Sequence, residues 1–402
     1  MVLLHDIRVP RVLLRAADAF GGQRDDVYQR GDLIQASDGS IRLIAAHPTN
    51  APRLLVPGLV EAHCHLDKCH TIDRIGPVGG DLTAALEAQR RDKARWTADD
   101  LRNRAHRGIK EAQQAGCVMM RTHADWGDGT APPVNWSVLT ELAADTAGLA
   151  LQCAALTGID KMADAGYARA VARRVATDNG VLGSFILHHD AIEEGVRQTI
   201  AVADHFGLPL DFHVDEGLGD WNGLEVIADI ALETGFAGPI LCGHAVSLMD
   251  KDAGAVARIA GKLARAGVFV CALPTTNLYL QGRRAGTPDR RGITRLRELH
   301  AAGVRILVGS DNVADAFCPT GQHDPRAALH LAALTAHLDP PFDRWVPGIT
   351  TDAAIALGRS DCFVEDCALG DLRLCDSPTL ADFIAGRAPL VPLNALIKEA
   401  PS

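Results

Sequence analysis

The stretch EAHCHLDKCH, residues 61–70, holds three histidines, two cysteines, two acids and a lysine, directly after the apolar run RLLVPGLV. His63 and His65 are two residues apart, so on an extended strand both imidazoles leave one face and Cys64 leaves the other. Neutral imidazoles are ligands for borderline-soft divalent ions, and such an ion makes water a nucleophile near neutral pH. Three further apolar runs end in groups of the same kind. DFHVDE supplies His213, with Asp215 expected on the same face; CGHA supplies His244; GSDN supplies Asp311. A lone core histidine is usually hydrogen-bonded filler. Donors at the ends of several separate strands need a common cause, and one metal ion supplies it.

The expected ligand set is His63, His65, His213 and Asp311, around one zinc or iron(II) ion, with manganese also compatible and a place left for water. Glu216, just past the fifth run, is expected to carry the proton between water and substrate. Asp311 shares that proton work, and His244 steadies the water or the developing oxyanion. The fourth run, GSFILHHD, has no lysine that could bridge two ions, which favours a single metal. His188 and His189 in that run are expected to support the rim. Cys64 reads as core, and Cys69 and His70 as lining or covering the site. Lys68 reads as a substrate contact or an ion-pair partner.

The elements that must carry these residues repeat regularly. Short apolar runs at 53–65, 116–125, 148–157, 180–189, 208–216, 238–245, 267–274 and 303–312 alternate with helical segments such as TADDLRNRAHRGIKEAQQAG and DAIEEGVRQTIAVADHFG. Several of these helices end in glycine just before a strand. Eight strand–helix units predict an α/β fold, a (β/α)8 TIM barrel over residues 57–358, whose active site lies at the C-terminal ends of its strands. A doubly wound open sheet is the alternative, but no G-x-G-x-x-G follows the first strand. Residues 1–56 and 359–402 hold short β-like pieces, and are expected to meet in a small β-sandwich-like domain.

Composition narrows the partners. The 402 residues are 47% apolar and 22% charged, with a formal net charge of -10. Without a basic footprint, nucleic acid and anionic membrane are not expected partners. No run approaches the roughly 18 to 20 apolar residues of a membrane span. No positively charged start precedes the first apolar residues, so the chain reads as cytoplasmic. The ten cysteines include no C-x-x-C. Cys64–Cys69 and Cys362–Cys367 share a spacing, but neither has a second pair nearby, so neither reads as a zinc knuckle.

Together the motifs resemble the amidohydrolase superfamily, within it the cytosine deaminase-like group. PGLVEAHCHLDK resembles that group's first-strand motif, RTHAD its second-strand motif and HVDE its fifth-strand motif, while GHA stands at its catalytic histidine. The stretch 277–321 is similar to its region around the last two strands. The resemblance implies the same ligands (His63, His65, His213, Asp311), Glu216 as proton shuttle and His244 beside the attacking group. It also implies a homo-oligomer hydrolysing an exocyclic C–N bond of a small nitrogen heterocycle, cytosine-like or pterin-like, with release of ammonia. Relatives that release an alkylamine from a triazine, or open a cyclic amide, are the alternative, and an inactive structural homologue is a third. The group's glutamine after strand three is missing from AALTGID, Asn312 stands for a second aspartate and Phe317 for a tryptophan. Cytosine itself therefore fits poorly. Asn312, Phe317, Gln281, Arg283, Lys68, Thr157, His123 and Trp126 are the expected substrate contacts.

Overall fold

The structure is a computed structural model and describes residues 2–187 and 189–399. Eight strands form one sheet in sequential order: Leu59–Cys64, Cys117–Asp125, Ala150–Gly158, Val181–Ile186, Leu210–Val214, Ile240–His244, Phe269–Ala272 and Arg305–Val308. Every neighbouring pair is parallel. We refer to them as strands one to eight. The two edges meet through a bridge between Cys64 and Asp311, and the Asp311 N–H donates to the His63 carbonyl at 2.9 Å. The α/β barrel expected from the strand–helix rhythm is therefore the fold, and its closure draws the ends of strands one and eight together.

Strand one differs from the single run read at 53–65. Arg53–Pro57 pairs in a second sheet, and the barrel strand begins only at Leu59. Pro57 has no N–H to continue a ladder. Gly58 passes where the two sheets touch: a Cβ there would lie 2.4 Å from Val118 Cγ1 and 2.9 Å from the Asp371 carbonyl oxygen. The second sheet has seven strands, from Val2–Pro10, Gln23–Arg24, Tyr28–Gln35, Ile41–Ile44, Arg53–Pro57, Leu372–Cys375 and Leu390–Pro392. Both ends of the chain thus contribute to it, with Leu372–Cys375 antiparallel to Arg53–Pro57.

Helices cover the outside of the barrel for local reasons. Ala98–Ala115 starts at Thr97, whose side chain accepts the Asp100 N–H, and stops at Gly116 in the left-handed conformation (φ 100°). Its Leu101, Ala105, Ile109 and Ala112 recur at helical spacing and are buried. A helix not anticipated from the sequence, Leu82–Lys93, follows strand one and is capped by Asp81. Inside the barrel, below the strand ends, the Arg121 guanidinium donates to Asp211 Oδ2 and to Gln152 Oε1, both at 2.9 Å. This buried network ties strands two, three and five together. Among the described residues, no helix is long and apolar enough to cross a membrane.

Candidate active site

The strand period places Glu61, His63 and His65 on one face of strand one, turned into the barrel. Glu61 is fully buried. Its carboxylate accepts the His63 and Ser310 N–H groups, at 3.1 Å each, and the Ser310 hydroxyl at 2.6 Å. It thereby fixes the backbone of both edges of the barrel, and burial pushes its pKa up to about 7. Sequence reasoning passed over Glu61, although the alternation that selected His63 and His65 includes it.

His63, His65 and His213 converge. The Nε2 atoms of His63 and His213 are 3.1 Å apart, as are those of His213 and His65. Asp311 Oδ1 lies 3.2 Å from His65 Nε2 and 3.7 Å from His63 Nε2. Ligands held 2.0–2.1 Å from one tetrahedral ion stand about 3.3 Å apart, so these spacings suit a shared cation. Both Asp311 oxygens are buried and no donor among the described residues meets full hydrogen-bond geometry with them, although the Thr276 hydroxyl stands close; this fits a carboxylate aimed at a cation. Burial holds the three histidines well below the usual histidine pKa, reinforced by neighbouring imidazoles at His63 and His213 and by the Lys68 ammonium at His65. They are neutral near pH 7, the form that donates a lone pair to a metal. This buried His/Asp group could therefore hold a metal ion.

His123 packs against His63 with ring centroids 4.1 Å apart, but both of its nitrogens have neighbours: Nε2 is 3.0 Å from Asp211 Oδ1 and Nδ1 is 3.3 Å from the Cys64 carbonyl. It supports the cluster from below. His244 and Glu216 stand to one side, with His244 Nε2 3.8 Å from Glu216 Oε2. His244 Nδ1 lies 3.0 Å from Asn277 Oδ1, which sets the ring with its proton on Nδ1 and turns Nε2 toward Glu216. Burial raises the Glu216 pKa, and the adjacent His244 works against that rise.

Several residues at the strand ends have left-handed backbone: φ is 52° at Asp215, 74° at His244 and 60° at Asp311. Such turns are costly for non-glycine residues and redirect the chain where a strand stops. At Asp215 the turn corrects the sequence reading. Its carboxylate does not share a face with His213; it accepts the Gly223 and Leu224 N–H groups at the start of the helix Gly223–Thr234.

A cavity of about 470 Å³ opens over this group, lined among others by His65, His213, Glu216, His244, Asp311, Asn312, Phe317 and Lys68. Phe185, Leu156 and Leu187 supply apolar walls, and Leu82, Leu86, Gln89, Arg90 and Lys93 form one face of the unanticipated helix above it. Lys68 donates to Asp125 Oδ1 at 2.9 Å and sits 5.4 Å from the Phe317 ring centroid. Burial favours its neutral form, but the Asp125 and Asp67 carboxylates more than offset this and keep it charged. Lys68 is thus both an ion-pair partner and a cavity residue.

Five expected contacts do not line the cavity. The Thr157 hydroxyl donates to the Gly183 carbonyl and meets Ser184, between strands three and four. Trp126 Nε1 donates to the Gly129 carbonyl and its ring packs on Trp136. Gln281 is buried beside Gly292, while Arg283 is exposed and stacks on Tyr279. His123 lies beneath the cavity floor. Cys69 and His70 also fall outside the cavity lining, and Cys64 is core as expected. His189 is exposed and accepts the Ala191 N–H, whereas His188 lies outside the described residues.

An α/β barrel with a buried His/Asp group and a carboxylate at the mouth of its strands defines a class of metal-dependent hydrolases, and comparison with known proteins gives the family. Residues 76–385 match the amidohydrolase family. The pterin deaminase of Rhizobium rhizogenes is 35% identical over 95% of this chain and 90% of its own. The crystal structure of 5-methylcytosine deaminase from Klebsiella pneumoniae liganded with 5-fluorocytosine superposes with a TM-score of 0.80 at 23% identity, covering 96% of this chain and 95% of that one. N-isopropylammelide isopropylaminohydrolase from Burkholderia multivorans gives 0.73 at 21% identity, covering 97% of each. These two structures speak for the fold. The chain belongs to the amidohydrolase family and is a hydrolase of carbon–nitrogen bonds.

Proposed function

We propose that the protein deaminates a flat amino-substituted nitrogen heterocycle, of the pterin class, using one divalent metal held by His63, His65, His213 and Asp311. The observation that carries this reading is the shared cavity: Glu216, 3.8 Å from His244 Nε2, lines the same space as His65, His213 and Asp311. A zinc or iron(II) ion suits the donor set and would supply the acidity that makes water a nucleophile near neutral pH. Everything else falls to the side chains. Glu216 takes a proton from the attacking water and delivers it to the ring nitrogen next to the reacting carbon. His244, oriented by Asn277, supports the oxygen that adds there. Water's oxygen forms the new bond to the ring carbon; its second proton passes through Glu216 to the amino group, the exocyclic C–N bond breaks as the added oxygen becomes a carbonyl, and the amino nitrogen leaves as ammonia.

The walls favour such a ring. Phe185, Phe317 and Leu156 offer apolar surface, while Asn312, Lys68 and Gln89 offer polar atoms to its edge. A cavity of about 470 Å³ has room for two fused rings with a substituent. The relative at 35% identity is a pterin deaminase, which supports this class over a lone pyrimidine. The homo-oligomer implied by the family resemblance is read by light scattering.

The test is an ammonia-release assay on aminopteridines, cytosine, guanine and alkylaminotriazines. Ammonia from an aminopteridine is expected, lost after chelation and restored by zinc, iron(II) or manganese. Alkylamine release from a triazine, with no ammonia from any aminoheterocycle, would reverse the assignment.

A further inference from the structure

Cys69 and His70 close the stretch that first suggests metal chemistry, yet neither lines the barrel cavity. They meet His323, which comes just before the helix Pro325–Thr335, and one donor atom from each of the three residues lies within 4.8 Å of the others. Both ring nitrogens of His70 and both of His323 lack a hydrogen-bond partner among the described residues. Yet the His70 side chain is 5% exposed and His323 is 1% exposed. A buried imidazole normally has at least its N–H served. Two adjacent rings with four unserved nitrogens, beside a buried thiol, call for an occupant. Glu111, from the helix Ala98–Ala115, brings Oε2 to 3.5 Å from His70 Nε2, and Arg107 Nε donates to its other oxygen at 3.2 Å. Gly108 of that helix leaves the space His323 needs, since a Cβ there would lie 2.8 Å from His323 Nε2.

We propose that Cys69, His70 and His323 form a second, structural metal site that takes one zinc ion, with Glu111, which lies beside His70 but outside the three-donor cluster, turning in as the fourth donor. A thiolate, two imidazoles and a carboxylate make a closed borderline-soft set, which selects zinc over magnesium or calcium. Burial pushes the Cys69 thiol well above its usual range and the nearby Arg104 opposes this only in part, so the thiol proton leaves to solvent only as the sulfur–metal bond forms. The site joins three pieces of chain: the loop after strand one, the helix Ala98–Ala115 and the loop after strand eight. The Cys69 N–H donates to the His65 carbonyl at 3.1 Å, and the His70 N–H donates to the Val313 carbonyl at 3.0 Å. The ion therefore clamps the two loops that carry His65 and Asp311 without entering the cavity between them.

The proposal stands apart from the reaction assigned to the barrel, and so does its test. Full-length protein, stripped with a chelator, is titrated with cobalt(II) alone. His63, His65, His213 and Asp311 contain no sulfur, so a thiolate-to-cobalt charge-transfer band in the near ultraviolet reports the second site by itself. The band is expected to saturate at one ion per chain, to vanish in Cys69→Ser and to shift or weaken in His323→Gln. Total bound cobalt should fall from two ions per chain to one in Cys69→Ser. Wild-type protein that binds one cobalt without the band overturns the proposal and assigns the space to an ordered water between the two rings. A band that survives Cys69→Ser, or is unmoved in His323→Gln, overturns it as well.

Discussion

Glu216 acquires its proposed role from its surroundings. Past the end of strand five it would read as an ordinary surface acid, but burial raises its pKa above the usual carboxylate value, with His244 opposing, and it faces the cavity beside that ring. Glu216→Gln is expected to lower turnover by about 10²–10⁴-fold, the usual contribution of such a group, with bound metal unchanged. Metal analysis beside the ammonia assay checks this, and loss of metal would make Glu216 a ligand instead. Asp315 shows the same physics with a stability readout. It is buried, accepts the Phe317 and Cys318 N–H groups and Asn312 Nδ2, and burial pushes its pKa from 3.8 up to about 7. Because the folded value is the higher one, its stabilising contribution is complete below about 3.8 and lost as pH rises through about 7. Asp315→Asn should therefore gain on wild type between pH 4 and pH 8, by up to about 1.4 kcal/mol per pH unit, in melting curves taken across that range.

Elements decide whether the donors meet. His63 on strand one has room because strand six carries glycine opposite it: a Cβ on Gly243 would lie 2.7 Å from His63 Cε1 and 3.0 Å from its Nδ1. Gly243→Ala should displace that ring and lower metal content and turnover together. The fold should survive, since overpacking of this kind costs about 1–3 kcal/mol. Normal metal content and turnover, with unchanged far-ultraviolet circular dichroism, would show that strand one simply shifts. The helix Leu82–Lys93 departs from a strand–helix alternation, because the longer helix Ala98–Ala115 already fills the connection between strands one and two. Its signals were present: Asp81 as cap, and Leu82, Leu86, Gln89 and Lys93 at helical spacing.

At the scale of the whole molecule, the barrel is tied internally as well as closed at its edges. Arg121, Asp211, Gln152 and His123 link strands two, three and five beneath the histidine cluster, and the Arg121 and Asp211 side chains are almost wholly buried. Removing one partner of such a pair strands the other charge in the interior. Asp211→Ala should cost about 3–5 kcal/mol, read as a fall in the urea midpoint at constant slope. A loss within about 0.5 kcal/mol, the range of ordinary surface substitutions, would mean that water already reaches Arg121.

The sequence by itself determined the barrel and the residues offered for chemistry, because both are written in local periods. Eight apolar runs alternate with helices, and donors spaced by two share a face of a strand. The amidohydrolase resemblance came from the same runs. Tertiary structure alone decided which donors turn toward one another. The left-handed turn at Asp215 sends its carboxylate to a helix, whereas Asp311, also left-handed, faces the histidines. Thr157, Trp126, Gln281 and Arg283 lie away from the cavity because loop packing carries them elsewhere, and no period in the chain encodes that packing. His323 meets Cys69 and His70 because barrel closure brings the loops after strands one and eight together, a contact between segments far apart in sequence.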